Sequence, residues 1–336
     1  MATIAVIGGG RWARTIAGVL AGLDPSHRLR LHSRADLAAW IAQKGIGAQV
    51  TVSQAPPDYR AMLPDAVVVA NRAADHAPAV LAALDAGLPV LVEKPIAIGA
   101  DAVRQLVNAA SGGFLAASHV FLFARYLEAF TRLVAGHGHA RQLQMTWEDG
   151  QGDVVRGDVK SYDPAVTVFD DVLPHVLPVL AHVAQQDITA QSLSIDRGGA
   201  AVSITATAGG LPIAIRLSRN AQARRRVLAA QTIDGPCTLD FSVEPGTLTA
   251  PGLAAQSGDP DWDSGLRPLG AMLTAFLQSV RDKKPDPRLS PQRALASAQF
   301  ADALREDYRR QQKQWLEAQG DAASRDYARQ EISAQG

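Results

Sequence analysis

Residues 3–23, TIAVIGGGRWARTIAGVLAGL, decide the fold of the first part of this chain. Thr3 to Ile7 form a short apolar run without polar alternation, the pattern of a strand buried on both faces. Gly8, Gly9 and Gly10 follow at once. Trp12, Ile16, Val19, Leu20 and Leu23 then recur at three- and four-residue spacing, one face of a helix. Gly8, Gly10 and Ala13 therefore fit G-x-G-x-x-A on a strand–turn–helix, with Arg11 and Trp12 in the first helical turn. Glycine there allows a tight turn and a close approach of backbone to a pyrophosphate. The helix start adds N–H groups and a partial positive charge. A tight turn without a ligand is the competing reading. It loses weight because strand, turn and helix are all present.

The same rhythm continues. HRLRLHSR alternates as a strand, and ADLAAWIAQKG reads as a helix stopped by Gly45. AQVTV, DAVVVAN, LPVLVEKP and GFLAASH read as strands, and DHAPAVLAALDAG and GADAVRQLVNAASG as helices. Strands alternating with helices predict an α/β fold: a doubly wound parallel sheet of Rossmann type over residues 1–118. After residue 119 the pattern changes. A helix is expected over HVFLFARYLEAFTRLVAG, then strand-like segments with hairpin breaks at Gly209-Gly210 and Asp234-Gly235-Pro236. These predict an α+β domain with a largely antiparallel sheet over 119–320. A helix is placed near 168–183, a loop over 250–268, and helices near 269–282 and 291–318. Residues 321–336 read as a polar tail.

Composition limits the function classes. The chain has 336 residues, 47% hydrophobic and 20% charged, with formal net charge zero. That length supports two cores, and that charge argues against a sequence-independent hold on nucleic acid. Cys237 is the one cysteine, which excludes internal disulfides and cysteine zinc sites. No apolar run approaches a membrane span, and no leader pattern opens the chain, so a cytoplasmic location and no membrane partner are expected.

The end of the second strand reads out the cofactor. An acid there holds a ribose 2′-hydroxyl, and an arginine accommodates a 2′-phosphate. This chain offers His32, Ser33 and Arg34, with no carboxylate before Asp36. The reading favours NADP(H) over NAD(H). The alternative makes Arg34 a solvated loop residue and Asp36 a helix cap, which leaves the preference open.

In GLPVLVEKPIAIG, residues 87–99, an ammonium stands at the tip of a buried strand. Ligands of open parallel sheets bind outside the carboxyl ends of strands. Pro95 restricts Lys94 to extended backbone and permits a cis peptide. Lys94 is thereby expected to face a nicotinamide, a ribose or a substrate oxygen; a Glu93–Lys94 surface pair is the alternative.

AVIGGGRWA, the Gly87, Val90, Glu93, Lys94, Pro95 motif, and DDVLPH together resemble the Gfo/Idh/MocA family of glucose–fructose oxidoreductase and inositol dehydrogenase-like enzymes. The resemblance covers nearly the whole chain. It implies a Rossmann domain followed by an antiparallel α/β domain whose sheet makes homodimers or homotetramers, and NAD(P)-dependent oxidation or reduction of small polar molecules. The family's aspartate four residues before a histidine maps to Asp171 and His175, on one helical face. Histidine titrates near neutral pH and can give or take the proton that hydride transfer requires. An ammonium stabilises developing oxyanion charge. The resulting assignment is His175 as acid/base, Lys94 as electrostatic and relay partner, and Asp171 as orienting group. Spacing alone also fits a surface helix pair. A metal reading through His182 lacks third and fourth ligands.

The match departs from relatives at several points. Asn71-Arg72 stands where Thr-Pro is usual, and His76 matches a histidine that relatives carry beside the cofactor. Asn71, Arg72, His76 and Glu93 join the cofactor-side candidates. Ser118-His119 replaces an amide-bearing stretch. Pro174 and Pro178 flank His175, so the helix is expected to begin near Asp170 or to be kinked. Trp147, Phe121, Phe123 and Tyr126 line either a pocket or the core. Arg224, Arg225 and Arg226 meet either an anion or solvent. The main expectation is hydride transfer at a secondary alcohol or ketone carbon of a sugar derivative or specialised metabolite. C=N reduction, as in thiazolinyl imine reductases, and a nicotinamide-binding sensor without turnover are the alternatives.

Overall fold

The computed structural model describes residues 1–150, 154–155, 158–159, 166–263 and 267–319. The expected polar tail lies outside them. The chain divides into two compact units. One comprises Met1–Phe123 and Asp263–Ala298, the other Ala124–Trp262 and the chain from Gln299.

The first unit is a six-stranded sheet of β1 (Thr3–Ile7), β2 (Arg28–His32), β3 (Val50–Ser53), β4 (Ala66–Val69), β5 (Val90–Val92) and β6 (Leu115–Ala117). The order is β3-β2-β1-β4-β5-β6, and every pair is parallel. Helices α1 (Arg11–Leu23), α2 (Ala38–Lys44), α3 (Tyr59–Met62), α4 (His76–Asp85) and α5 (Ala100–Ala109) connect the strands. The apolar runs read from the sequence are buried on both faces, as a parallel sheet requires: Ile4, Val6, Leu29, Val67, Val68, Leu91 and Ala116 form its core. The short α3 was not anticipated; the Asp58 carboxylate caps it, accepting from Arg60 and Ala61 N–H.

Register positions the functional edge. Ile7 pairs with His32 and Val69, Val69 with Val92, and Val92 with Ala117. The next residues of five strands, Gly8, Ser33, Ala70, Glu93 and Ser118, therefore emerge along one edge. Strand order reverses between β1 and β4, the switch point of such sheets.

The second unit opens with α6 (Arg125–Gly136) and β7 (Gln142–Gly150), then β8 (Val154–Val155), β9 (Asp158–Val159), α7 (Val168–Ala184), β10 (Thr189–Asp196), β11 (Ala201–Ala208) and β12 (Leu211–Ala221). It continues with β13 (Arg225–Gln231), β14 (Pro236–Asp240), β15 (Thr247–Ala250) and β16 (Leu253–Ser257). Helix α8 (Pro268–Asp282) belongs to the first unit, and α9 (Pro291–Ala318) carries the chain into the second. Its eight-stranded sheet runs β10-β11-β12-β7-β13-β14-β15-β16, antiparallel except for the β12–β7 pair.

Two expectations are corrected. The helix expected from residue 119 begins at Arg125, after a 3-10 turn over Val120–Phe123. The expected loop after 250 holds β16, which pairs with β15 through the Gly252 turn. Helix α7 begins at Val168, in keeping with the helix placed near 168–183, and the Thr167 hydroxyl caps it by accepting the Asp170 N–H at 3.1 Å. Pro174 and Pro178 lie inside α7, where each removes one donor from the ladder.

Candidate functional site

The glycine turn shows three glycines with three reasons. Gly8 has φ +131°, and a Cβ there would stand 2.6 Å from the Ala70 carbonyl oxygen, so the turn is sterically closed to any side chain. At Gly9 a Cβ would stand 1.8 Å from Ser33 Oγ. Gly10, the residue before α1, has φ −66° and ψ 176°, backbone open to any residue, and a Cβ there would meet nothing within 4 Å. No side chain caps α1. Arg11 Nη1 is buried without a hydrogen-bond partner, as is Asn71 Oδ1 across the turn's neighbouring strand end. An open helix start, an orphaned guanidinium nitrogen and an orphaned amide oxygen fit a dinucleotide with its pyrophosphate on the helix N-terminus. Ala13 is fully buried and lets α1 sit close to the sheet.

At the end of β2, Ser33 Oγ accepts from Ala35 N–H at 3.0 Å and keeps its own proton to donate. Arg34 is exposed. The Asp36 carboxylate accepts Ala38 N–H at 2.9 Å, at the start of α2.

The ends of β4, β5 and β6 form a polar cluster. The Lys94–Pro95 peptide is cis. The His76 ring lies between two carbonyls, Pro95 O at 2.8 Å and Asn71 O at 3.2 Å. Burial holds the His76 pKa below its usual range, against the pull of those carbonyls. Asn71 donates to Asp75 O at 3.2 Å, and Arg72 makes an exposed pair with Asp75 at 3.6 Å. Lys94 is half-buried at this edge. The Glu93 carboxylate is buried and accepts from Ser118 Oγ at 2.7 Å, from the Lys94 backbone N–H at 3.3 Å and from the Trp12 side chain. Burial pushes its pKa up, and these bonds offset the shift in part. Glu93 thus ties the first turn of α1 to the Lys94 backbone. His119, one residue beyond Ser118, is buried against Ser290 O at 3.3 Å, and burial lowers its pKa to about 4.

In the second unit, Asp170 and Asp171 occupy the first turn of α7, where carboxylates complement the helix dipole. They have different partners. Asp170 makes a two-pronged pair with Arg305 of α9, at 2.7 and 3.0 Å. Asp171 Oδ2 accepts from Arg219 at 3.3 Å, and the same Arg219 nitrogen donates to Thr167 O at 3.1 Å. His175, half-buried one turn on, stacks against Trp147 with centroids 5.5 Å apart and planes 14° apart. Arg226 lies over the same indole at 4.0 Å and pairs with Asp149 at 3.2 Å. Trp147, Phe123 and Tyr126 are core residues, and Arg226, one of the two readings left open for the arginine run, meets an internal carboxylate.

All the cofactor-side candidates, Gly8, Gly10, Arg11, Trp12, Ala13, Ser33, Arg34, Asn71, Arg72, His76, Glu93 and Lys94, thus belong to the first unit, on or behind its carboxyl edge. Asp171 and His175 share the face of α7 in the second. Asp149, Arg219 and Arg305 were not singled out by chemistry in the sequence. One signal was available: in β7 the buried positions Leu143, Met145 and Trp147 are followed, two residues on, by a carboxylate.

The parallel sheet, its switch point and the open glycine turn define an NAD(P)-binding Rossmann domain. Residues 2–113 match the model of the GFO_IDH_MocA oxidoreductase family, described as having an NAD-binding Rossmann fold. No curated protein matches the sequence. Among solved structures, the fold is shared with a myo-inositol dehydrogenase from Corynebacterium glutamicum, at 21% identity and TM-score 0.68 over 91% of this chain and 96% of that one. It is shared with UDP-N-acetylglucosamine 3-dehydrogenase GnnA from Acidithiobacillus ferrooxidans, at 18% identity and TM-score 0.71 over 90% and 96%. A variant of KijD10, a 3-ketoreductase from Actinomadura kijaniata in complex with TDP-benzene and NADP, aligns at 17% identity and TM-score 0.69 over 91% and 97%.

Proposed function

We propose that this protein is an NADP(H)-dependent oxidoreductase acting on a secondary alcohol or ketone carbon of a small polar substrate, a sugar derivative or specialised metabolite. The observation that carries the reading is Gly10: nothing in the fold demands glycine there, whereas a pyrophosphate does. Arg11 and the first N–H groups of α1 hold the pyrophosphate. Ser33 and Arg34 receive the 2′-phosphate, a role supported by the engagement of Asp36 at the start of α2. Asn71 and His76 line the nicotinamide side.

The bound nicotinamide supplies or accepts the hydride. The Lys94 ammonium stabilises negative charge as it develops on the substrate oxygen, and the His175 imidazole gives that oxygen its proton in reduction or takes it in oxidation. Asp171, held by Arg219, keeps a carboxylate one turn before His175. Assembly through the eight-stranded sheet belongs to the same reading; Ile233, Val243 and Leu253 are exposed apolar residues of that unit.

The test is steady-state turnover with NADPH on a panel of keto sugars and, in reverse, polyols. Lys94→Ala and His175→Asn should each lower kcat by about 10²- to 10⁴-fold, the usual contribution of a positioned proton-transfer group. Retention of wild-type kcat by either variant would remove that residue from the mechanism. Turnover confined to cyclic imines would replace the ketone reading, and NADPH binding without turnover on any panel would replace catalysis.

A further inference from the structure

We propose that Trp147, clamped by Arg226 and Asp149, is the positioning residue for His175. The inference rests on the reading above that His175 transfers the substrate proton.

It begins with strand alternation. Trp147 and Asp149 are two apart in β7, so both side chains point to one face of the sheet. Register pairs Trp147 directly with Arg226 of β13, whose side chain shares that face. The result is a layered arrangement: the Asp149 carboxylate 3.2 Å from the Arg226 guanidinium, that guanidinium 4.0 Å from the Trp147 ring centre, and the His175 ring stacked on the same indole. Trp147 is 2% exposed and Asp149 fully buried. Burial lowers the Arg226 pKa to about 10, which leaves it a cation at neutral pH.

A buried ion pair is a poor way to stabilise a sheet; apolar residues of equal volume do as well. What this pair does is hold an indole plane. Trp147 has a cation against its ring and Phe241 edge-on at 6.0 Å and 72°. These contacts hold its plane from the sheet side. Pro174 immediately precedes His175 in α7, so the ladder there lacks a donor. The near-parallel stack sets the imidazole plane and so the direction in which its ring nitrogens present a proton.

The test compares Trp147→Leu, Trp147→Phe, Arg226→Gln and Arg226→Lys with wild type and His175→Asn. Circular dichroism and urea unfolding establish folding. We expect Trp147→Leu to lower kcat at least about tenfold, as a displaced catalytic group does, with the KM for NADPH unchanged. Trp147→Phe should recover most of kcat, and Arg226→Lys more than Arg226→Gln. A merely structural role would not separate kcat from KM in this way. In parallel, the His175 Cε1 proton resonance should be shifted upfield by the indole ring current in wild type and in Trp147→Phe, where a ring remains, and should lose that shift in Trp147→Leu. If Trp147→Leu does not fold, Trp147→Phe and the two Arg226 variants carry both readouts. Folded Trp147→Leu with wild-type kcat, or a His175 resonance unmoved by it, overturns the inference. Inactive His175→Asn beside fully active Trp147 and Arg226 variants overturns it while leaving the proposed function standing. Active His175→Asn overturns both.

Discussion

Replacing Gly10 by alanine separates cofactor chemistry from folding. In the structure the substitution is nearly silent. The backbone at φ −66° and ψ 176° suits alanine, and its methyl would meet nothing within 4 Å. Alanine is a poorer N-cap than glycine by about 0.5 kcal/mol, while the stiffer unfolded chain returns about 0.4–1 kcal/mol, so the net change in stability is close to zero. The effect on a ligand is different. A methyl at the helix start keeps a pyrophosphate oxygen from the N–H groups of the first turn. A charge-assisted hydrogen bond contributes about 1.5–3 kcal/mol, and loss of one weakens binding about 10- to 150-fold. The assay is fluorescence titration of NADPH into wild type and Gly10→Ala, alongside urea unfolding of both. We expect equal unfolding midpoints and a Kd raised by at least about tenfold. Gly8→Ala is the control in the other direction: its Cβ meets Ala70 backbone, so the fold itself weakens. Unchanged NADPH affinity in a folded Gly10→Ala protein would refute the placement of the pyrophosphate and everything built on it.

Other outcomes follow from the same geometry. Arg34→Ala should weaken NADPH about tenfold and leave NADH unchanged, since only a 2′-phosphate meets that guanidinium; equal losses for both cofactors would make Arg34 a general anion contact. Glu93 predicts a pH dependence. Its folded-state pKa is raised by burial above the ordinary 4.5, so its favourable contribution is complete below pH 4.5 and is lost as pH rises through the raised value. Urea unfolding of wild type and Glu93→Gln across that window should show this decline in wild type only, and parallel curves would count against it. Arg305→Gln leaves Asp170 without its two-pronged partner among side chains 11% and 19% exposed, and should destabilise the second unit by about 2 kcal/mol, a value reduced for partial exposure. Unfolding followed by the tryptophans of that unit checks it.

Local reading was strong where function depends on chain neighbours. The glycine turn, the strand bearing Lys94 and the helix bearing Asp171 and His175 were legible because each is one short segment with its own periodicity. Reading faltered where local pattern is ambiguous. Ala254 and Ala255 in β16 are weak strand formers, and the strand exists because it pairs with β15.

The sequence by itself determined the alternation of strand and helix, the glycine turn and the candidate groups for proton transfer, because spacing along one element sets which side chains share a face. Only the tertiary structure decided that Asp170 and Asp171 serve two different arginines, that Arg226 lies half-buried over an indole while its neighbour Arg225 is exposed, and that Trp147 stacks on His175. Those pairings join residues from 28 to 135 positions apart, and they follow from strand register and helix packing, which no local spacing contains.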